Sequence, residues 1–233
     1  MGRVVMVSGG GRGLGAAITR RLLDDGWRVS IGLRDLSQAK AFGAPPDRLA
    51  ALSFDATIPD HAQRWVAETV RQFGRVDALV NNAGILRMVD FEQGDETDLD
   101  ALWAVNVKGP FRLIRAVLPH LRRTGAGRIV NIASTDAKRY RDGTSVGYAM
   151  TKHALLAMTQ AARHAGWADG VRATAVCPGA IDTDLLAGLP AVTPKQDRLR
   201  PETVADMVAF LLALPNQASV PELITNTRLE PVI

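Results

Sequence analysis

Short, nearly continuous apolar runs alternate with stretches of helical periodicity along the whole chain. The runs cover Arg3–Ser8, Arg28–Leu33, Leu49–Phe54, Asp77–Val80, Arg128–Ile132, Val171–Cys177 and, more weakly, Val220–Thr225. Helix-like stretches lie between them near 14–25, 60–73, 98–122, 147–167 and 201–213. Strands apolar at successive positions are buried on both faces, as in a parallel sheet covered by helices. The pattern predicts an α/β fold, a doubly wound parallel sheet that takes ligands at the carboxyl ends of its strands. No repeat or low-complexity linker divides the chain, so 1–233 reads as a single domain. Residues 184–200 break the alternation. Gly188, Pro190 and Pro194 within them predict a loop that serves as a substrate lid.

Composition narrows the function classes. Of 233 residues, 47% are apolar and 22% charged, enough for one sizeable core. No apolar stretch reaches the roughly 18 residues of a membrane span. The N-terminus enters a strand-like run without the features of a signal peptide, which predicts a cytoplasmic protein. Cys177 is the single cysteine and four histidines are scattered, so neither an internal disulfide nor a metal site is expected. The net charge of +4 and pI of about 9.6 raise the question of a nucleic-acid partner. The basic residues are dispersed and aromatics make up only 5%, so a solvated surface is the expected use of this charge.

Two local patterns carry chemistry. The first strand runs directly into Ser8-Gly9-Gly10-Gly11-Arg12-Gly13-Leu14-Gly15. Glycines admit positive φ and let the backbone approach a pyrophosphate, and a helix starting near Leu14 aims its N-terminal N–H groups at the anion. Gly11-x-Gly13-x-x-Ala16 fits the Rossmann fingerprint, while Gly9-x-x-x-Gly13-x-Gly15 fits a second one. Further along, Tyr148 and Lys152 stand four apart on one predicted helix face, with Ser134 fourteen residues before Tyr148. A phenol of pKa about 10 is a weak acid/base at neutral pH, and an adjacent ammonium lowers that value. Ser134 adds a hydroxyl able to hold a carbonyl oxygen.

With Asp55, Asn81-Asn82-Ala83-Gly84, Asn106 and Pro178-Gly179, these landmarks follow one another in an order that resembles the short-chain dehydrogenase/reductase family over nearly the whole chain. The resemblance implies a Rossmann-like enzyme that moves a hydride between a nicotinamide dinucleotide and a carbonyl or secondary alcohol. It implies that the turn from Ser8 to Gly15 holds the pyrophosphate, that Asp55 and Ala56 meet the adenine, and that Asn82, Ala83 and Gly84 pack beside the adenine-side ribose. Asn-Ala-Gly also suits a simple turn. Ile181 and Thr183, after Pro178-Gly179, are implied to meet the nicotinamide amide. Asn106, Ser134, Tyr148 and Lys152 are the implied catalytic set. Tyr148 passes the proton, Ser134 holds the substrate oxygen, and Lys152 lowers the Tyr148 pKa and binds the nicotinamide ribose. Asn106 holds a water linking Lys152 to solvent, and no metal is required. The chain departs from the family in a Ser134–Tyr148 interval one residue longer than usual. Its ending at Glu222–Ile233 also lacks an Asp-Gly-Gly-like segment. A homodimer through the helices near 98–122 and 147–167 is implied, with a tetramer left open.

The choice of dinucleotide turns on Ile31-Gly32-Leu33-Arg34-Asp35. Leu33 stands where an NAD-selecting carboxylate is expected, and the guanidinium of Arg34 suits a 2′-phosphate, with Arg12 as a second contact. Asp35 falls at the general spacing for NAD selection. The balance favours NADP(H) over NAD(H). For the substrate, Lys138, Arg139 and Arg141 after Ser134 suggest either an anion-binding rim or solvated loop charge balanced by Asp136 and Asp142. A 3-ketoacyl thioester reductase and a non-catalytic dinucleotide sensor remain alternatives to a small-molecule carbonyl reductase.

Overall fold

Seven strands form one all-parallel sheet in a computed structural model that describes residues 2–141, 143–187, 189 and 193–229. The strands are β1 (Val4–Ser8), β2 (Arg28–Leu33), β3 (Leu49–Ser53), β4 (Ala78–Asn81), β5 (Arg128–Ile132), β6 (Arg172–Pro178) and β7 (Glu222–Thr225). Their order is β3-β2-β1-β4-β5-β6-β7. The order reverses between β1 and β4, and such a reversal opens a crevice at the carboxyl ends of the strands. Among the described residues the α-helices are α1 (Gly13–Asp24), α2 (His61–Phe73), α3 (Glu96–Trp103), α4 (Gly109–Arg123), α5 (Val146–Gly166) and α6 (Pro201–Ala213).

Residue alternation decides which helix each strand residue meets. Val5, Val7, Val29 and Ile31 pack with Ile18 and Leu22 of α1 and Val204, Val208 and Leu212 of α6. Met6, Leu79 and Ile129 point the other way, onto Trp65 of α2 and Leu113, Val117 and Leu121 of α4. Burying one such side chain contributes about 1.5–3 kcal/mol, whereas an exposed ion pair contributes about 0–1 kcal/mol. The sheet core therefore dominates the fold, and the charges in the loops above it follow the chain rather than direct it.

One predicted helix is divided. The periodic stretch 98–122 begins earlier, at Glu96, where Asp95 accepts from Asp98 N at 2.9 Å as a cap. It then widens into a π-helical turn at Ala104–Lys108 before continuing as α4. Asn106 sits in the π turn, 1% exposed, and its carboxamide grips a neighbouring loop. Hydrogen bonds outside the helix compensate for the local widening, and such single π turns occur often at functional sites.

Candidate active site

The glycine turn is tied down from two sides. Gly9 N donates to Gly32 O at 2.9 Å, and Thr19 Oγ1 donates to Gly10 O at 3.1 Å. The Ser8 hydroxyl accepts from the backbone of Asn82 and Ala83, both at 3.0 Å. Asn82 Nδ2 returns bonds to Ser8 O at 2.9 Å and Gly9 O at 3.2 Å. Ser8 and Asn82 thus fasten the turn to the end of β4, which matches the turn reading of Asn-Ala-Gly.

The turn fits a dinucleotide pyrophosphate on its own geometry. A Cβ on Gly15 would lie 2.1 Å from Gly9 O, so only glycine admits this cradle. No side chain caps α1 at Arg12, which leaves its first N–H groups directed at the turn. Leu14 is buried in the core, so only its backbone can take part. Thr183 lies across from Gly13, its Cγ2 3.4 Å from where a Gly13 Cβ would be. The segment after β6 therefore faces the glycine turn across a slot. Pro178 ends β6, and Gly179 N donates to Thr225 O at 2.8 Å, which anchors that segment to β7. Arg12 faces Asp184 at 3.5 Å, an exposed pair, so its charge is shared with a carboxylate and not reserved for phosphate.

At the ends of β2 and β3 the two acidic candidates differ in use. Asp35 accepts from Ser37 N at 3.0 Å and caps the turn Leu36–Phe42; the Ser37 hydroxyl, and then this backbone bond, lower its pKa. Asp55 Oδ1 accepts from Thr57 N at 2.8 Å and Thr57 Oγ1 at 2.7 Å. Burial works against its ionisation but is outweighed by these bonds and by the charges of Arg34 and His61, so its carboxyl is held below the usual range. Ala56 is buried beneath α4, where its carbonyl accepts from Arg112 Nη1 at 2.9 Å. Gln38, which sequence reasoning passed over, covers Gly11: its Oε1 is 2.3 Å from a Cβ placed there. Nothing local in the sequence marks Gln38.

Ser134, Tyr148 and Lys152 come together from β5 and α5. Ser134 caps the turn Thr135–Ala137, its Oγ accepting from Asp136 N at 3.0 Å. That bond occupies a lone pair and leaves the hydroxyl proton available to donate. Ser145 caps α5 by accepting from Tyr148 N at 3.1 Å, and it also bonds the backbone of Val89. Its N-cap type was the signal that could have revealed it. Asn106 holds Ile85 in both directions, accepting from Ile85 N and donating to Ile85 O, each at 2.9 Å, and reaches Thr151 Oγ1 at 3.2 Å. Thr151 Oγ1 donates to Tyr148 O at 2.8 Å. The π turn is thereby coupled to the helix that carries Tyr148. Gly84 lies beside Asn106 and Lys152: a Cβ built on it would be 3.4 Å from Asn106 Oδ1 and 3.8 Å from Lys152 Nζ.

The electrostatics differ from the expected pairing. Lys152 Nζ donates to Ile132 O at 2.8 Å and lies 5.4 Å from the centre of the Tyr148 ring. Burial pushes the Tyr148 phenol well above its ordinary value, the Asp136 carboxylate adds to this, and the Ser134 hydroxyl pulls it back. Burial brings Lys152 itself down to about 8, against the weaker opposing pull of Cys177 and Asp136. The sign of the stability effect follows. Between about pH 8 and 10.5 the unfolded chain binds the extra proton, so this lysine's penalty is relieved as pH rises. The tyrosine acts oppositely above about pH 10. Carbon-detected NMR of the lysine Cε resonances is expected to show one group titrating near pH 8 that vanishes in Lys152→Met. A full set titrating near 10.5 would overturn this environment.

The basic residues after Ser134 are matched with carboxylates. Lys138 Nζ meets Glu222 at 2.7 Å, Arg139 Nη1 meets Asp136 at 2.7 Å, and Arg141 Nε lies 4.0 Å from the same Asp136 oxygen. Asp142 lies outside the described residues, as do four positions of the segment 184–200. At the base of the segment 184–200, Ile181 bridges Leu199, with Asp182 holding Lys195 and Arg198, each at 3.7 Å. No group of metal-binding side chains occurs among the described residues, and none of the described helices is long and apolar enough to cross a membrane.

A family model described as short chain dehydrogenase matches residues 3–192. Over 220 residues the chain is 38% identical to an agropine synthesis reductase from Rhizobium rhizogenes, covering 94% of this chain and 51% of that protein. The chain thus spans about half the length of this curated relative. Among solved structures, an alcohol dehydrogenase from Thermococcus sibiricus complexed with 5-hydroxy-NADP superposes with a TM-score of 0.88 at 28% identity, covering 99% of this chain and all of that one. A 3-ketoacyl-(acyl-carrier-protein) reductase from Brucella melitensis complexed with NADH gives 0.86 at 29% identity, covering 96% of both chains. With the parallel sheet, the glycine cradle and the meeting of Ser134, Tyr148 and Lys152 in view, the chain belongs to the short-chain dehydrogenase family.

Proposed function

We propose that the protein interconverts a small-molecule carbonyl and its secondary alcohol with NADP(H), using Tyr148 as the acid/base. The observation that carries this is the convergence of Ser134, Tyr148 and Lys152 at the carboxyl end of β5, with Asn106 behind them. The dinucleotide, when bound across the glycine turn, supplies or accepts the hydride. Ser134, already accepting from Asp136 N, donates its hydroxyl proton toward the substrate oxygen. Tyr148 is protonated at neutral pH in this setting, so it stands ready to give its proton as a carbonyl is reduced. Lys152, near its titration point at pH 8, holds or releases the proton that resupplies Tyr148. The Asn106 carboxamide fixes the Ile85 loop and α5 at their mutual spacing. A pure dinucleotide sensor has no evident need for these four groups at one point.

The dinucleotide preference rests on Arg34. Asp35 is engaged in capping its own turn, and Arg34 lies close enough to Asp55 to influence it. This supports a 2′-phosphate beside Arg34. Arg34→Ala is expected to weaken NADPH about ten- to hundred-fold more than NADH, the value of one charge-assisted contact of about 1.5–3 kcal/mol. Fluorescence titration of both dinucleotides against wild type and variant checks it. Equal losses, or a wild type that prefers NADH, would point back to an NAD enzyme.

For the substrate, the matched charges after Ser134 favour a neutral carbonyl over an anion or thioester. The Michaelis constant for neutral ketones and sugars is then expected to change little as salt rises, since no long-range attraction is there to be screened. Keto acids that outperform neutral analogues at low salt and lose that advantage at high salt would restore the anion-binding rim. Screening ketones, aldehydes, keto acids and alcohols by nicotinamide absorbance tests the activity as a whole. A homodimer through α4 and α5 is part of this reading, supported by the exposed Phe111 and Met150 on those helices. Sedimentation measures it directly.

A further inference from the structure

The beginnings of β1, β4 and β5 meet at a pocket at the opposite end of the sheet from the glycine turn. Its volume is about 270 Å³, and its wall includes Arg3, Trp27, Arg75, Asp77, Arg128 and Leu214. Three guanidiniums thus line it against one carboxylate. That carboxylate is already engaged, accepting from Arg75 Nε at 2.9 Å and from Val4 N at 2.8 Å. Among the described residues, Arg3 and Arg128 form no ion pair with a carboxylate; they bond neutral acceptors, and Arg128 Nη1 donates to Ala126 O at 3.1 Å, Gly127 O at 3.0 Å and Asn216 Oδ1 at 2.9 Å. Arg3 Nη1 donates to Leu212 O at 3.2 Å and Arg128 Nη2 to Leu214 O at 2.8 Å.

Hydrogen bonding to carbonyls and to the Asn216 amide accounts for the donors that Arg128 uses and for one of Arg3. It does not account for cations gathered around a cavity. Each guanidinium has five N–H donors, more than these carbonyls take up from Arg3. Arg128 is only 7% exposed, and a buried charge without a countercharge is costly. Burial lowers its pKa, and Arg172 and Arg3 lower it further, so these cations are near enough to repel one another. An anion in the pocket relieves both effects. The volume falls just under the roughly 300–1,000 Å³ of ordinary small-molecule sites, which suits a compact ligand. Trp27, Leu214 and Pro215 add apolar wall, so a compact apolar body fits beside the charged end.

We propose that this pocket binds a small organic oxyanion, a phosphate or carboxylate on a compact apolar body, and that the ligand pins together the beginnings of β1, β4 and β5. The three strands are joined there by Asp77, whose N donates to Val4 O at 2.8 Å and whose O accepts from Arg128 N at 3.0 Å. Their far ends carry the glycine turn, Asn82–Gly84 and Ser134, so the site is separate from the reacting groups and its effect is on stability.

The test is thermal melting and calorimetric titration of the full chain with phenyl phosphate and with benzoate, using benzyl alcohol as the neutral control. Ionic strength is held constant with chloride, and excess dinucleotide keeps the glycine turn engaged. At least one anion is expected to raise the melting temperature saturably where benzyl alcohol does not, and the better of the two identifies the head group. Arg3→Gln, which keeps an amide to reach Leu212 O, and Arg75→Gln are each expected to weaken that anion about tenfold or more. Arg34→Ala is expected to leave it unchanged. If either pocket variant melts early by itself, the shift of the Trp27 indole N–H on adding phenyl phosphate to the wild type decides the matter. No saturable effect, an effect reproduced by chloride, an unmoved Trp27 signal, or equal binding in both pocket variants overturns the proposal.

Discussion

Tyr148→Phe is expected to lower turnover by about 10²–10⁴-fold, the usual contribution of a positioned proton donor, while dinucleotide affinity stays near that of the wild type. The substitution removes one oxygen and keeps the ring that packs with Val89 and Leu102, so the pocket retains its shape. It also removes the group whose titration burial and Asp136 displace upward. Single-turnover rates with saturating dinucleotide, together with a binding titration, separate the two effects. Turnover within a few-fold of wild type would end the assignment of Tyr148 as the acid/base, whatever the family membership.

Ser134→Ala is expected to cost about 10²–10³-fold in turnover, as the loss of one donor to a developing oxyanion does. Here a structural contribution must be separated from a chemical one. The Ser134 oxygen also caps the turn Thr135–Ala137, and losing a cap costs about 0.5–2 kcal/mol. A modest fall in melting temperature is therefore expected beside the large fall in rate. Ser134→Thr keeps both the cap and a donor, so it should melt like the wild type and recover much of the rate. An alanine variant whose rate falls only as far as its stability does would leave Ser134 a turn residue.

Much of this molecule was legible from short-range pattern. Residues in each strand are apolar at successive positions because both faces are covered, so the seven runs were visible and their parallel arrangement followed. The glycine turn was visible because its requirement is local: Gly15 must let Gly9 O approach, and a side chain cannot. The Tyr148–Lys152 pair was visible because four residues make one helical turn. The division of 98–122 was not, since the π turn is stabilised by Ile85 and Thr151, both distant from Asn106 in the chain.

Charge partnership was the least legible feature, and the reason is geometric. Lys138 and Glu222 are 84 positions apart and meet only because the turn after β5 lies over β7 across the β6 edge. Read locally, Lys138, Arg139 and Arg141 look like a basic rim; folded, they meet Glu222 and Asp136. The influence of Lys152 on Tyr148 had the same character. Helical spacing placed the two on one face, but the Ile132 carbonyl, supplied by another element, draws the ammonium, and burial shifts both groups against ionisation. Hydrophobic period and turn chemistry act over a few residues, so the sequence by itself determined the elements, their parallel sheet and the chemical kind of the site. Burial and long-range Coulomb interactions depend on which elements become neighbours, so only the tertiary structure decided the protonation of the site, the use of its charges and the arginine pocket at the far end of the sheet.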